Sequence, residues 1–600
     1  MAGRATPPDL NFSASVSDEA IRSFAPAPSP PHGGGPPART HVLTVALEDY
    51  FHAAPFRPWV REEIWYRFED RLAASTRRVL ELLERCEVRA TFFVTAKTAE
   101  AASDLVRDIA AQGHEIASAG DHGKDLQSLD RSRFCDAAVQ DRERLEQIVG
   151  QRVLGYRMAS TWLSSADIWI LDVLAQAGYR YDSSVRPALF SNAAEAWRRS
   201  RQQAGAPPDL FHEVPVSSIR LLGIDVPIAG GGPFRHFPEY WTRRAVAYWD
   251  RHRSQPFVMS LRTWELDADQ PRISAPPLHT RIRHYRNLRR MPRLLHEVFS
   301  AYQFTSVAQH LGLLAEPLPR ADEPNAALSQ RAPSAGVPPS LDSSGAAGGF
   351  SPKGVSVVVP CYNEIQSLGY LSKTLGSLTE TFRKEYRFTF LFVDDCSTDA
   401  TWTTLEELFS GRPEFVLLRH ERNQGVAAAI QTGIRHAPDD IVCSIDCDCT
   451  YDPHELGEMI PLLEEGVALV TSSPYHPAGL VRNVPAWRLF LSKGLSRLYR
   501  IVLRQKLFTY TSCFRVYRRS AVAGLALRTP GYLGLTELVA RLDLADHRVV
   551  EHPSTLEVRV LGVSKMKVIR NIIGHLRLLA GLLHQRLFRR NTRIVVESSL

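Results

Sequence analysis

No two cysteines in this sequence have CxxC spacing. The eight, Cys86, Cys135, Cys361, Cys396, Cys443, Cys447, Cys449 and Cys513, are scattered without a framework. That excludes a disulfide scaffold and a cysteine-built zinc ribbon. Thiols inside apolar runs are expected to act as small buried side chains in a reducing compartment. No uncharged apolar run reaches the ~18 residues needed to span a bilayer. The opening MAGRATPPDLNFSASVSDEA has no basic stretch followed by an apolar one, so no secretory signal is expected. Strong charge of one sign is also missing. A net +7 on 600 residues suits anionic small molecules or lipid headgroups and is too thin and scattered for nucleic acid. The expected location is the cytoplasm.

What is present is an ordinary globular composition, 44% hydrophobic and 23% charged, in a chain of 600 residues. Single cores stop growing near ~250–300 residues, so two folded units are expected. Two Pro/Gly/Ser-rich tracts punctuate the chain. Residues 1–40 contain PAPSPPHGGGPPA and are expected to be disordered; residues 317–353 contain PSAGVPPSLDSSGAAGGFSP and are expected to form a flexible linker. They set off domains at 41–316 and 354–570, followed by a tail at 571–600. Both domains alternate short apolar runs (HVLTVAL, ATFFVTA; VSVVVP, FTFLFVDD, DIVCSID) with stretches of helical periodicity such as VRDIAAQ and IWILDVLAQAG. Apolar strands between amphipathic helices predict an α/β class with parallel sheets covered on both faces.

In the second domain the polar residues stand at strand ends. VSVVVP runs into Cys361-Tyr362-Asn363-Glu364, FTFLFVDD ends on Asp394 and Asp395, and a third strand ends in Asp446-Cys447-Asp448. Ligands of open α/β sheets lie outside the carboxyl ends of strands, so these tips should converge on one crevice. Two carboxylates one residue apart suit a divalent cation that also takes phosphate oxygens. Asn423-Gln424-Gly425 then opens a helix rich in small residues, able to approach the sheet and a ligand closely. Any one aspartate pair at a strand end is an ordinary turn or cap. Four such features in this order are not.

These stretches resemble the inverting family 2 glycosyltransferases of GT-A, Rossmann-like fold, in particular the dolichyl- or polyprenyl-phosphate sugar synthases. VVVPCYNE, FVDDCSTD, NQGVAAAIQTGI, SIDCDCTYDP, TSCFRVYRR, YLGLTEL and RVLGVSK carry the resemblance over about 215 residues. It implies a hexosyltransferase with Mg²⁺ or Mn²⁺, a GDP- or UDP-linked donor and a polyprenyl-phosphate or other lipid or glycan acceptor. Pro360, Tyr362, Glu364, Asn423 and Gly425 would bind the nucleotide sugar. Asp395 would contact the base and Asp394 support that pocket. Asp448 would ligate the metal, and Asp446 would lie near the ribose or the metal. Arg515, Arg559, Ser564 and Lys565 would face phosphates, and Glu537 would serve as base or acceptor positioner. A phosphate acceptor is already an anion and needs no strong base. The chain departs from the family pattern at Cys396 and Cys513, where glycine is usual, and at Thr509, where an acid is usual. After Lys565, an apolar helical pattern carries Arg570, Arg577, Arg586 and Arg589. It predicts either a helix packed on the domain or one lying at the inner face of the membrane.

The first domain resembles the polysaccharide deacetylases of the NodB-homology type, especially a cytoplasmic branch associated with exopolysaccharide clusters. LTVALEDYF, RATFFVTA, GHEIASAG, GYRMAS, GYRYDSS, VPIAGGGPFR and TWELDADQPR carry this over about 270 residues, implying an irregular (β/α) barrel. Such chemistry needs a metal held by an acid and two histidines, with an acidic base nearby. The base position holds Ala46, the two histidine positions hold Ala119 and Gly123, and the late histidine position holds Arg262. Glu48, Asp49 and His122 could substitute, while Arg157 and Asp182 read as barrel salt-bridge residues. Methyl, hydrogen and guanidinium groups cannot ligate Zn²⁺, so no zinc is expected. The expected protein is therefore a glycosyltransferase with a pseudo-deacetylase domain, acting in bacterial cell-envelope carbohydrate metabolism. A bifunctional deacetylase and glycosyltransferase, and a non-enzymatic binding protein, are the alternatives.

Overall fold

The computed structural model describes residues 39–120, 130–159, 163, 167–185, 211–221, 224–314, 352–529, 531–562 and 568–588. The tracts expected to be disordered or linking, at 1–38 and 315–351, lie outside the described residues, as do His122, Gly123, Ser564, Lys565 and Arg589. The chain forms two compact units. The first takes in residues through Tyr50, Arg71–Gln270 and Arg283–Ala332; the second takes in Phe51–Asp70, Pro271–Ile282 and the chain from Pro333 onward.

The first unit is an irregular (β/α) barrel of deacetylase type, built on an eight-stranded sheet. Its order is Gln303–Thr305, Thr40–Ala46, Thr91–Val94, Glu115–Gly120, Gly155–Met158, Tyr181–Asp182 and His212–Glu213, with Val258–Arg262 also on Thr40–Ala46. Every pairing in it is parallel. The run HVLTV is buried throughout because helices cover one face of the strand while the barrel fills the other. Ser103–Ala111 and Trp169–Gln176 are helices, as their periodicity predicts.

The second unit has the GT-A arrangement, a seven-stranded sheet in the order Phe415–Arg419, Tyr386–Asp394, Lys353–Cys361, Ile441–Ser444, Arg515–Arg518, Val467–Ser473 and Arg548–Pro553. Arg515–Arg518 is antiparallel to both neighbours, and the other pairings are parallel. The order reverses between Lys353–Cys361 and Ile441–Ser444, and this switch point opens a crevice at their carboxyl ends. Helix Ile365–Phe382 buries Leu368, Leu371, Leu375 and Leu378, a three-and-four spacing worth about 2 kcal/mol per leucine.

Residues 51–70 fold as part of this second unit. Arg67 is almost fully buried and donates to both oxygens of Asp452, at 2.9 and 2.8 Å. Phe68 meets the Tyr370 ring edge-on at 5.3 Å, and its carbonyl accepts from Lys373. Arg61 pairs with Glu557 at 2.7 Å.

Candidate functional site

The loop after Lys353–Cys361 is joined to the loop after Tyr386–Asp394 by side-chain bonds. Asn363, at φ +55°, accepts from the Thr398 N–H at 2.7 Å, and the Glu364 N–H donates to the Thr401 hydroxyl at 2.8 Å. Asp395 then organises the turn at 423–425. Its carboxylate accepts the N–H groups of Gln424 (2.8 Å) and Gly425 (2.7 Å), lies 2.8 Å from His420 Nδ1, and its carbonyl accepts from Asn423. Gly425 has φ +92°, which a side chain would strain. The helix Val426–His436 that it opens lies so close to the sheet that a Cβ at Gly433 would sit 2.3 Å from Val358. Asp394 is wholly buried; it accepts from the Ser397 N–H at 3.3 Å and pairs with Arg419 at 3.2 Å. Its place is under the loop.

A cleft of about 660 Å³ opens at the switch point. Of the residues singled out in the sequence, Pro360, Tyr362, Glu364, Asp395, Asn423, Gly425, Asp448 and Arg559 line it together. Arg559 clamps two of the carboxylates, donating from Nε to Asp448 and from Nη2 to Glu364 (2.9 Å). Burial opposes its charge, but the two acids outweigh burial and raise its pKa. Asp448 also accepts the Thr450 N–H at 3.1 Å. Asp446 is not among the lining residues; burial first, and the Asp448 charge second, push it up to about 7, while the Cys513 thiol bonds to it. Among the described residues no three His, Cys, Asp or Glu side chains gather as a closed metal site. Of the two aspartates, Asp448 alone reaches the cleft, where its hard carboxylate fits a Mg²⁺ or Mn²⁺ ion completed by substrate phosphate oxygens.

Two expected site residues are placed elsewhere. Arg515, expected to face phosphate, is 0% exposed, and its guanidinium donates to the carbonyls of Leu535 and Tyr510. It starts an interior strand, so its charge is spent on backbone there. Glu537, expected as base or acceptor positioner, is buried and accepts from the N–H groups of Arg528 and Thr529, the Thr529 hydroxyl and Arg541. Burial raises its pKa, but these bonds, led by Thr529, outweigh it and hold the carboxyl below the usual glutamate range. Glu537 thus pins the segment leading to Gly531 and Tyr532, which do line the cleft. Sequence reasoning missed Tyr475, Arg488, Tyr532, Ser274 and Arg281 in this lining. Tyr532 stood in the quoted YLGLTEL stretch; nothing local marked Ser274 or Arg281.

In the first unit two of the expected losses, Ala46 and Arg262, are neighbours in register. Ala46 lies opposite Arg262, and Ala119 opposite Arg157. Arg262, whose side chain is 45% exposed, pairs with Glu48 at 2.5 Å, and the Glu48 charge raises the arginine pKa. Asp49 is buried and accepts the N–H groups of Tyr50 and Arg71, each at 2.7 Å. Arg157 was expected as a salt-bridge residue, yet its hydrogen bonds go to the hydroxyls of Thr44, Ser183 and Ser260 and the Ser183 carbonyl. It lies 4.1 Å from the Phe93 ring centroid, and burial lowers its pKa to about 10. Asp182 accepts from the Ser184 N–H and hydroxyl.

The tail forms the helix Val568–Phe588. One face packs on the unit through His575, Leu579 and Leu582, with His575 Nδ1 3.0 Å from the Tyr499 hydroxyl. Ile573, Leu576 and Leu583 are exposed. The neighbouring helix Ala486–Val502 exposes Trp487, Leu491, Phe490 (78%) and Ile501 (72%). No helix among the described residues is long and apolar enough to cross a membrane.

A switch-point cleft in a GT-A sheet, lined by a strand-end carboxylate, an aspartate-bound turn and an arginine, defines a nucleotide-sugar transferase class of site. Residues 356–525 match the family described as Glycosyl transferase family 2, residues 60–181 match Polysaccharide deacetylase, and residues 183–312 match a domain of unknown function, DUF3473. A polyprenol monophosphomannose synthase of Mycolicibacterium smegmatis is 32% identical over 35% of this chain and 80% of its own length. An undecaprenyl-phosphate mannosyltransferase of Micrococcus luteus is 30% identical over 35% of this chain and 87% of its own. A dolichol-phosphate mannosyltransferase of Pyrococcus furiosus is 30% identical over 36% of this chain, which spans 59% of that relative's length. Among solved structures, mannosyl-3-phosphoglycerate synthase from Rubrobacter xylanophilus is similar at 20% identity, over 42% of this chain and 84% of that one, with a TM-score of 0.31. The chain belongs to the family 2 glycosyltransferases.

Proposed function

We propose that residues 354–570 transfer a sugar, with inversion and with a divalent cation, from a GDP- or UDP-linked donor to a polyprenyl-phosphate-like acceptor. The observation that carries this reading is the convergence of Asp395, Asp448, Glu364 and Arg559 on one cleft at the switch point. Asp395, already fixing the turn at 423–425, presents its remaining lone pairs to the nucleotide base. Gly425 and the small residues after it leave room for the nucleoside. Asp448, with Asp446, would hold Mg²⁺ or Mn²⁺, which when bound supplies positive charge to the departing diphosphate. Arg559 balances Asp448 and Glu364, and its guanidinium is placed to exchange part of that pairing for a diphosphate oxygen. A phosphate acceptor enters as an anion, so the commitment of Glu537 to backbone N–H groups removes nothing the reaction requires. The three relatives above are named for polyprenol, undecaprenyl-phosphate and dolichol-phosphate mannosyl transfer, which supports a lipid-phosphate acceptor. The exposed apolar rows on Ala486–Val502 and Val568–Phe588 support peripheral contact with the membrane that carries such an acceptor.

The deacetylase-type unit is, in this reading, a pseudoenzyme. Arg262 lies opposite Ala46 and pairs with Glu48, so a guanidinium answers the acid that could have substituted as a ligand. A donor screen with the full chain tests the main reading: GDP- and UDP-sugars, Mg²⁺ or Mn²⁺, and polyprenyl phosphate, reading nucleoside diphosphate release. Metal-dependent release that needs the lipid phosphate is expected. Release indifferent to metal and acceptor would sink it.

A further inference from the structure

The second unit's cleft contains one arginine that arrives from far upstream in the sequence. Residues 271–282 belong to the second unit, although they lie inside the stretch that matches the domain of unknown function. Ile273 is fully buried and forms an antiparallel bridge with Leu561. The Ser274 N–H and hydroxyl both donate to the Val560 carbonyl, at 2.7 and 3.1 Å. The segment is therefore fastened to the residue next to Arg559. After Pro276 and Pro277 the chain enters the helix Leu278–Tyr285, where the Arg281 N–H donates to the Pro277 carbonyl at 3.1 Å. The Arg281 side chain lines the same cleft as Asp448, Arg559 and Arg488.

The charges of this lining do not cancel locally. Asp448 and Glu364 are held by Arg559, Glu557 by Arg61 and Arg482, and Asp395 by turn N–H groups and His420. Neither Arg281 nor Arg488 pairs with a carboxylate among the described residues. Two guanidinium groups thus face a cleft whose acids are already answered, an arrangement that suits a doubly charged anion. Exposed apolar side chains flank each one: Leu278 and Ile282 beside Arg281, Trp487 and Leu491 beside Arg488.

We propose that Arg281 is a recognition residue for the phosphate monoester of the acceptor, lent to the transferase cleft by the DUF3473-matching stretch. The proposal rests on the transferase reading above and deepens it. It gives that stretch a task that needs no hydrolytic chemistry.

The test uses the full chain as wild type, Arg281→Ala and Arg281→Lys. Farnesyl phosphate serves as the lipid probe and glycerol 3-phosphate as the soluble one, and nucleoside diphosphate binding is measured separately. Loss of a charge-assisted contact predicts a KM for the phosphorylated acceptor about 10- to 100-fold higher in Arg281→Ala. Nucleoside diphosphate affinity should stay within about twofold, and Arg281→Lys should recover part of the loss. An unchanged acceptor KM overturns the proposal, and so does an equal fall in nucleoside diphosphate affinity, which would assign Arg281 to the donor. Wild-type transfer to glycerol 3-phosphate but not farnesyl phosphate defeats the lipid-acceptor reading alone; Arg281 then stands or falls by the same KM ratio. Transfer only to an uncharged glycan overturns both.

Discussion

Both units hold an arginine against a carboxylate near the carboxyl end of a parallel strand, and the surroundings give the pairs different chemical meaning. In the first, Arg262 pairs with Glu48 and lies opposite Ala46 in register, and Asp49 accepts two backbone N–H groups. In the second, Arg559 with Asp448 and Glu364 stands in a cleft of about 660 Å³ among further cations. There, in the proposed reaction, the arginine would exchange a carboxylate for a phosphate. An ion pair is inert or functional according to what can compete for it.

The largest expected effect tests the second pair. Asp448→Asn should lower transfer by about 10²–10³-fold, the scale of losing one preorganised electrostatic contact. Glu48→Gln should leave transfer unchanged, and steady-state turnover of both variants checks the contrast. Equal losses would erase the distinction between the two units. A second measurement concerns acetate release from N-acetylated oligosaccharides with Zn²⁺, Co²⁺ or Ni²⁺ supplied. We expect none above a no-enzyme control, since loss of acid–base assistance alone removes about 10²–10⁴ in rate. Metal-dependent release abolished by Glu48→Ala would make the first unit a catalyst.

The remaining predictions compare stability. His114 in the first unit is buried, accepts the Ala90 N–H, and has its pKa lowered to about 4, chiefly by burial. The unfolded chain therefore takes up the proton first, so the contribution is complete above the ordinary histidine value of 6.5 and is lost as pH falls towards 4. About 3 kcal/mol is at stake. Thermal melts of wild type and His114→Asn across that window should converge at low pH. In the second unit, Arg67→Met should cost about 1–3 kcal/mol: Arg67 is buried, but its partner Asp452 is partly exposed, which screens the pair. Urea unfolding followed by tryptophan fluorescence would report it. The smallest effect is at Cys396, which sits at φ +58°. Cys396→Gly should stabilise by up to about 1 kcal/mol, because relief of a left-handed side chain exceeds the added freedom of the unfolded chain. A lowered urea midpoint would contradict that.

The sequence showed the α/β class through its apolar runs, and showed the crevice because its residues follow strand ends. Cys396 was legible as a departure from a family glycine, and the positive φ gives the physical reason that glycine is usual there. Arg515 and Glu537 lie away from the cleft lining, which motif matching misses because it registers a charged residue without its burial: Arg515 is committed to backbone carbonyls, and Glu537 to N–H groups, a hydroxyl and Arg541. Arg281 and Ser274 were invisible for the opposite reason: they reach the cleft through long-range chain folding, and periodicity carries no trace of it.

The excursion of residues 51–70 also bears on how this protein is made. Arg67 meets Asp452 across 385 positions of chain. At about 5–20 residues per second of synthesis, that partner is added tens of seconds after Arg67. Until then Phe56, Val60, Ile64 and Phe68, all buried in the finished chain, await the unit with which their segment folds. The nascent chain therefore carries an apolar stretch well ahead of the unit it folds with. A cut in the gene at the Pro/Gly-rich tract would yield a transferase fragment lacking that stretch and a leading fragment burdened with it.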